Sequence, residues 1–574
     1  MPSLATSLMR SSPRPTPPER SRRSGRHAIR LGMLAGWLLL AANGAPACAA
    51  ERPIVAVAQG RLAGTIEHDL HVFRGIPYAL PPVGDRRWQP PAPPADWRGL
   101  RDAAAFGPSC VQPPVPADSL YFDPPAAMSE DCLTLNVWTT EQAVSAPVIV
   151  WIHGGSLRIG GSAEPLFDGA NFARRGIVFV SINYRLGVLG WLAHRDLSAE
   201  SSAGVSGNYG LLDQIAALRW VRDNIAAFGG DPGRVTIMGE SAGALSVAYL
   251  LASPLARGLF QRAIAQSPNI RSFPQLKTRA FGLPPAEASG EALAAAVGSS
   301  GIEALRTMDA RVLTEAAGAA RFVAQGTIDG WALTEQIVET LDARRQALVP
   351  LLAGFNSGEL RSQRGFLPPA PADPATYEAK IVRRYGPLAP DFLRLYPASD
   401  IGESMLATLR DSIYGWAAER LVAGQAAAGQ GAYLYLFDYC DPAARARGLC
   451  AFHAAELPFV FGHVGREVAL PPNWPRPAGA AEESLSETML EYWIAFATGG
   501  TPNGAGRPHW PPYSGRGAYM RFAERPTAEA DLLPGMFELQ EAWVAARRRA
   551  GEPWFANVGV AAPLPRNSSE PTSR

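Results

Sequence analysis

The sequence predicts an α/β fold in which helices flank a large central sheet, parallel in its middle. Three observations point there. Short, wholly apolar runs are closed by glycine-rich turns, segments of helical period alternate with them, and a chain of 574 residues with 47% hydrophobic content has ample material for one large core. An uninterrupted apolar run means a strand covered on both faces, which is the condition of a parallel sheet packed between helices.

Pro147-Val-Ile-Val-Trp-Ile152 ends at Gly154-Gly155 and reads as a buried strand entering a loop. Gly176-Ile-Val-Phe-Val-Ser-Ile182 is a second such strand. From Leu211 to Phe228, Leu212, Ile215, Leu218, Val221 and Ile225 keep helical spacing, and Gly229-Gly230-Asp231-Pro232 stops the helix. Arg234-Val-Thr-Ile-Met238 is then a strand, and Ala242 to Leu251 a helix of small residues. Further strands are expected at Arg262 to Gln266, Val349 to Gly354 and Ala432 to Tyr439. The stretch from Phe273 to Ala320 is rich in Ala, Gly and Glu with weak periodicity, and is expected to form helices outside the sheet that roof the site. No internal repeat is visible.

A net charge of +1 with interspersed signs provides no field for nucleic acid or an anionic membrane, so a small molecule is the expected partner, and the oligomeric state is left open. An Arg-, Ser- and Pro-rich start, an apolar run from Leu31 to Ala42 and small residues through Ala50 read as a signal peptide. The run is shorter than the roughly 20 residues a membrane-spanning helix needs. The expectation is a secreted or periplasmic protein. Arg22-Arg23 keeps a twin-arginine route in view, and Cys48 an alternative as a lipoprotein anchored there. Without Cys48 four cysteines remain in an oxidising compartment, where Cys110 with Cys132 and Cys440 with Cys450 are the local pairings, with connectivity open. The first would close a loop of about 21 residues and stabilise the fold by roughly 3 kcal/mol. Residues 1–50 are thus assigned to the signal and N-terminal extension, 51–562 to one domain, and 563–574 to a disordered tail.

Gly239-Glu-Ser241-Ala-Gly243 lies between an expected strand and an expected helix, the setting in which a G-x-S-x-G pattern carries chemistry. A tight turn strains the serine and exposes its Oγ, the flanking glycines let strand and helix approach, and the N–H of Ala242 at the helix start points toward an anion. Such a serine needs a neutral imidazole to accept its proton and a buried carboxylate to hold that imidazole. Of eight histidines, His27 lies in the export signal, His68 and His71 on a half-exposed strand pattern, and His153 before a glycine pair, while His194, His463 and His509 are read as solvated loop residues. His453 follows an expected strand and a loop bounded by Cys440 and Cys450, where an α/β-hydrolase places its base.

Several further segments resemble the type B carboxylesterases, the family of cholinesterases and para-nitrobenzyl esterases, over almost the whole chain beyond the signal. They are Phe73-Arg-Gly-Ile-Pro-Tyr-Ala79, Ser129-Glu-Asp-Cys-Leu-Thr-Leu-Asn-Val-Trp138, Gly207-Asn-Tyr-Gly-Leu-Leu-Asp-Gln214, the run from Phe228 through the serine to Gly243, Phe496-Ala-Thr-Gly-Gly-Thr-Pro-Asn503 and Trp510-Pro-Pro-Tyr513. The resemblance implies an α/β-hydrolase fold and a serine carboxylesterase that needs no cofactor or metal. Residue by residue it implies Ser241 as nucleophile, Glu359 in Gly354-Phe-Asn-Ser-Gly-Glu359 as triad acid and His453 as base. It implies oxyanion donors at Gly155, Ser156 and Ala242, with Ser156 standing where the family usually has glycine, so that its Cβ restricts the loop. Tyr121, Phe122 and Leu157 are implied as substrate-binding residues. Phe122 stands where cholinesterases carry the tryptophan that stacks on an ammonium, so choline esters are not favoured. Small to medium apolar esters are the expected substrates, with a lipase or a specialised ester, lactone or carbamate hydrolase as the alternative. The same family includes adhesion proteins that have lost the triad, and retention of all three residues argues against that role.

Overall fold

The computed structural model of the chain describes residues 52–565 except Ser300, Glu467 and Arg516. The expected export signal, with Arg22, Arg23 and Cys48, lies outside the described residues, as do positions 566–574 of the expected tail.

Eleven strands of the described residues form one sheet. In chain order they are β1 (Thr65–Glu67), β2 (Leu70–Pro77), β3 (Thr134–Thr140), β4 (Ala146–Ile152), β5 (Val178–Ile182), β6 (Gly230–Glu240), β7 (Arg262–Gln266), β8 (Leu351–Asn356), β9 (Ala432–Phe437), β10 (Tyr519–Phe522) and β11 (Pro526–Glu529). Across the sheet they lie in the order β11-β10-β9-β8-β7-β6-β4-β5-β3-β2-β1. From β5 through β10 every neighbour is parallel, and the pairings at both margins are antiparallel. The apolar runs are therefore covered on both faces. Along β4, Val148, Val150 and Ile152 join the core on one face while Ile149 and Trp151 join that on the other, the period-2 alternation of a strand.

Helices α1 (Tyr209–Asn224), α2 (Ala242–Ala252), α4 (Trp416–Ala427) and α5 (Ala480–Gly499) cover the sheet, while α3 (Ile401–Arg410) and α6 (Met536–Arg549) pack outside them. Leu211, Leu218 and Val221 of α1 and Leu245 and Val247 of α2 belong to the first core, and Met489, Trp493 and Phe496 of α5 to the second. The expected helix from Leu211 to Phe228 is α1 with a 3₁₀ turn, Ile225–Phe228, stopped by Gly229 at φ 79°. The strand expected from Arg234 starts earlier, because Gly230 already pairs with Ala146 across an irregularity.

The stretch from Phe273 to Ala320 forms the expected helices, Ala286–Ala296, Ile302–Thr307 and Ala310–Ala319, but they do not roof the serine. They rest on neighbouring loops: Gly290 lies against Ala193, and Arg87 donates to the carbonyls of Leu305 at 3.0 Å and Met308 at 2.7 Å. Cys110 is bonded to Cys132 and Cys440 to Cys450. No described helix is long and apolar enough to cross a membrane.

Candidate active site

β6 ends at Glu240, and the chain turns through Ser241 at φ 56°, ψ −118° into α2. An L-residue is strained there, and the surroundings must hold it. They hold it by contact. A Cβ on Gly239 would come within 2.5 Å of the Gly243 backbone, and one on Gly243 would strike the Ile152 carbonyl. The two glycines thus permit the strand–helix approach that lifts the serine out of the sheet.

Ser241 Oγ lies 2.8 Å from Nε2 of His453, and Nδ1 of His453 lies 2.5 Å from Oε2 of Glu359. Glu359 is fully buried beyond the end of β8, where its Oε1 accepts from the Asn356 N–H at 2.9 Å and the Ser267 hydroxyl at 2.6 Å. His453 sits between two left-handed residues, Ala451 at φ 44° and Ala454 at φ 69°. The Asn356 amide holds the Phe452 carbonyl at 2.9 Å, and the Tyr121 hydroxyl donates to the His453 carbonyl at 3.0 Å. The three residues expected from the sequence meet in one hydrogen-bonded line.

Two carboxyls that sequence reasoning passed over complete the surroundings. Glu240 is 5% exposed, and its Oε1 lies 3.2 Å from His453 Nε2 without making a hydrogen bond among the described residues. Burial raises its carboxyl to about 8. Glu456 is held by the Gln266 amide at 3.0 Å and the Asn356 amide at 2.6 Å. A signal for Glu456 existed: Gln266 and Asn356 are polar residues ending apolar strands, and such groups need a buried partner. Burial opposes the His453 imidazolium, but Glu240, Glu359 and Glu456 outweigh it and raise the ring to about 9.

Opposite the serine, Gly155, Ser156 and Leu157 are consecutive left-handed residues at φ 96°, 59° and 58°. The backbone N–H groups of Gly155 and Ser156 bond no acceptor among the described residues, and that of Ala242 lies in the first turn of α2, where no intrahelical acceptor exists. Together with Ser241 and His453, Gly155 and Ser156 line a cavity of about 240 Å³. Its walls come from Tyr121, Leu166, Phe167, Leu457 and Trp474, with the carboxyls of Asp123 and Glu164 among them. Burial, and then the neighbouring Asp123, raise Glu164 to about 8, so this acid is a neutral polar group near pH 7.

Of the three residues expected to meet substrate, Tyr121 is on the wall and the other two are not. Phe122 is half-buried away from it, and Leu157 is fully buried in the core because its left-handed turn sends the side chain inward. His194 and His463, expected to be solvated, are each only 4% exposed. His194 caps a short helix by accepting from the Asp196 N–H, and His463 faces the Leu166 carbonyl at 3.1 Å. His153 stacks on Tyr184, and burial lowers it to about 4.

Residues 51–534 match the profile of the carboxylesterase family. The chain belongs to that family. This carboxylesterase is accordingly a carboxylic ester hydrolase on an α/β-hydrolase fold. It is 38% identical over 476 residues to the fumonisin B1 esterase of Sphingopyxis macrogoltabida, a match that takes in 80% of this chain and 84% of that one. To the para-nitrobenzyl esterase of Bacillus subtilis it is 36% identical over 478 residues, 80% of this chain and 92% of the other. Among solved structures, a para-nitrobenzyl esterase superposes with a TM-score of 0.73 at 33% identity, over 85% of this carboxylesterase and 99% of that protein.

Proposed function

We propose that this carboxylesterase works by two-step acyl transfer with Ser241 as nucleophile, His453 as general base and acid, and Glu359 as the carboxylate that fixes the imidazole. The observation that carries the reading is the unbroken line from Ser241 Oγ through both ring nitrogens of His453 to Glu359. His453 Nε2 takes the serine proton as Oγ attacks the ester carbonyl, and returns it to the leaving alkoxide as the C–O bond breaks. Water then loses a proton to the same nitrogen and attacks the acyl-enzyme, releasing the acid and restoring Ser241. The N–H groups of Gly155, Ser156 and Ala242 receive the oxyanion, a stabilisation of about 3 kcal/mol per donor in comparable sites. The volume of the cavity and its apolar wall support small to medium apolar esters as substrates. Relatives bearing the names fumonisin B1 esterase and phenmedipham hydrolase favour, as a second reading, a specialised substrate.

A fluorophosphonate probe should label Ser241, and Ser241→Ala should abolish both labelling and turnover of para-nitrophenyl acetate. Labelling that persists in the variant would remove Ser241 from the role. The same reading assigns residues 1–50 to export, 51–562 to the catalytic domain and 563–574 to a tail. The two disulfides support passage into an oxidising compartment.

A further inference from the structure

The N–H groups of Gly155 and Ser156 lie in a stretch, 153–164, that contains no strand or helix. Backbone outside regular structure has no ladder to hold it, so other partners must fix where its N–H groups point. At the near end of the stretch, Nδ1 of the buried His153 donates to the Gly154 carbonyl at 2.9 Å. Beyond it, the Gly155 carbonyl accepts from the N–H groups of Arg158 and Ile159, each at 3.0 Å. The turn so formed folds Ile159 back onto Gly155, closely enough that a Cβ on Gly155 would strike the Ile159 carbonyl oxygen. That oxygen belongs to the same peptide unit as the Gly160 N–H.

Gln112 grips this peptide unit from outside the loop. Its Oε1 accepts from the Gly160 N–H at 2.8 Å, and its Nε2 donates to the Gly160 carbonyl at 2.8 Å. One side-chain amide thus pairs with both backbone groups of a single residue, as a neighbouring strand would. Nε2 also donates to the Cys110 carbonyl at 3.1 Å, so both hydrogens of the amide are taken and none is left for a substrate. The side chain is 7% exposed and lines the catalytic cavity. Its own backbone is anchored, because Cys110, two residues before it, is bonded to Cys132 and lies in a strand paired with Met128–Ser129.

We infer that Gln112 is a positioning residue for the oxyanion hole, which holds Gly160 and, through the Ile159 carbonyl packed against Gly155, sets the place of the Gly155 N–H. The inference rests on the acyl-transfer reading, since an oxyanion forms only if Ser241 attacks a carbonyl. Donors aimed at a charge that develops during reaction act on the transition state more than on the bound ester, so their displacement lowers kcat and leaves KM nearly alone.

The test sets Gln112→Met, which keeps the length of the side chain and removes both bonds to Gly160, beside Gln112→Glu, whose carboxylate keeps the acceptor and loses the donor. kcat is expressed per site titrated to completion with a fluorophosphonate, so that unfolded protein is not counted. With para-nitrophenyl acetate, Gln112→Met should lower kcat by about 10-fold or more with KM little changed, and Gln112→Glu should fall between it and the wild type. The deciding readout is a pair of inhibitors. Hexyl trifluoromethyl ketone accepts Ser241 Oγ at its carbonyl carbon; the serine proton passes to His453 and the carbonyl oxygen becomes a bound oxyanion. Hexyl methyl ketone, of similar shape, stays a ketone. The ratio of their inhibition constants should shrink by about the same factor as kcat. A ratio and a kcat equal to those of the wild type in both variants would overturn the inference and leave acyl transfer standing. If the wild type itself binds the trifluoromethyl ketone no more tightly than the methyl ketone, the acyl-transfer reading falls, and the inference with it.

Discussion

His453 has a carboxyl group beside each ring nitrogen, Glu359 at Nδ1 and Glu240 at Nε2, the second 3.2 Å from the nitrogen that bonds the serine. Burial alone would lower the ring, but the carboxylates raise it to about 9. The sign follows directly. The base must be neutral to act, so kcat/KM rises with pH, and the midpoint of that limb belongs above the ordinary histidine value near 6.5. Burial raises Glu240 to about 8, so its anion stands beside the imidazolium only toward the upper part of this limb; Glu240→Gln removes that anion and should move the midpoint down. Because Glu240 and His453 titrate as a pair, the steps seen in the wild type belong to both groups. A pH–rate profile of each enzyme decides it, and a limb at or below 6.5 that Glu240→Gln leaves in place would contradict this account. Glu240 was in plain view between Gly239 and Ser241, yet its effect could not be read from the sequence. A pattern shows that a residue precedes the nucleophile, whereas its perturbation comes from burial and from Glu359 and Glu456, which arrive from distant parts of the chain.

At the scale of elements, the strands were legible and the loops were not. Apolar runs marked β4 through β9 to within a few residues because a strand covered on both faces has only apolar residues to show. The roof was misplaced because weak helical periodicity over 273–320 says that helices form, not which surface receives them. The loop that carries His453 shows what positions a base. Ala451 and Ala454 hold left-handed angles around it, the Gly358 N–H donates to the Ala451 carbonyl at 3.0 Å, and Gly358 is the neighbour of Glu359. Cys450, three residues before His453, ties this loop to Cys440 just beyond β9, with a sequence separation of 10. Replacing Cys440 and Cys450 together by serine should therefore release the strained loop. Expected are a kcat several-fold lower with KM little changed and slower fluorophosphonate labelling, measured well below the unfolding temperature. An unchanged kcat would show that the hydrogen bonds alone hold the base.

For the molecule as a whole, the two disulfides stand in different settings and bear differently on stability and catalysis. Both lie in chain segments outside the sheet, but Cys110 and Cys132 are buried at 3% and 1% exposure, while Cys440 and Cys450 are half-buried and stand nearer solvent. Cys132 stands just before β3, which lies between β2 and β5, and Cys110 pairs its own strand with residues Met128–Ser129, so the bridge fastens the margin of the sheet together with the segment that carries Tyr121 and Asp123 of the cavity wall. Its ring has a sequence separation of 22. In the chain-entropy account a closure of that length stabilises the folded state by about 3 kcal/mol, a sizeable part of the roughly 5–15 kcal/mol by which domains are stable. Replacing Cys110 and Cys132 together by alanine should thus move the denaturation midpoint in urea strongly downward. Turnover of para-nitrophenyl acetate by the protein that remains folded should fall but persist, because β6, β8 and the loop after β9 hold Ser241, Glu359 and His453, while the freed segment carries Tyr121, which bonds the His453 carbonyl. Mild dithiol treatment of the wild type should show the reverse order: the more accessible Cys440–Cys450 bridge opens first, and kcat falls before the urea midpoint does. Loss of stability ahead of activity under that treatment would mean that the buried bridge is the more reducible one, and that exposure does not govern which half of the molecule is loosened.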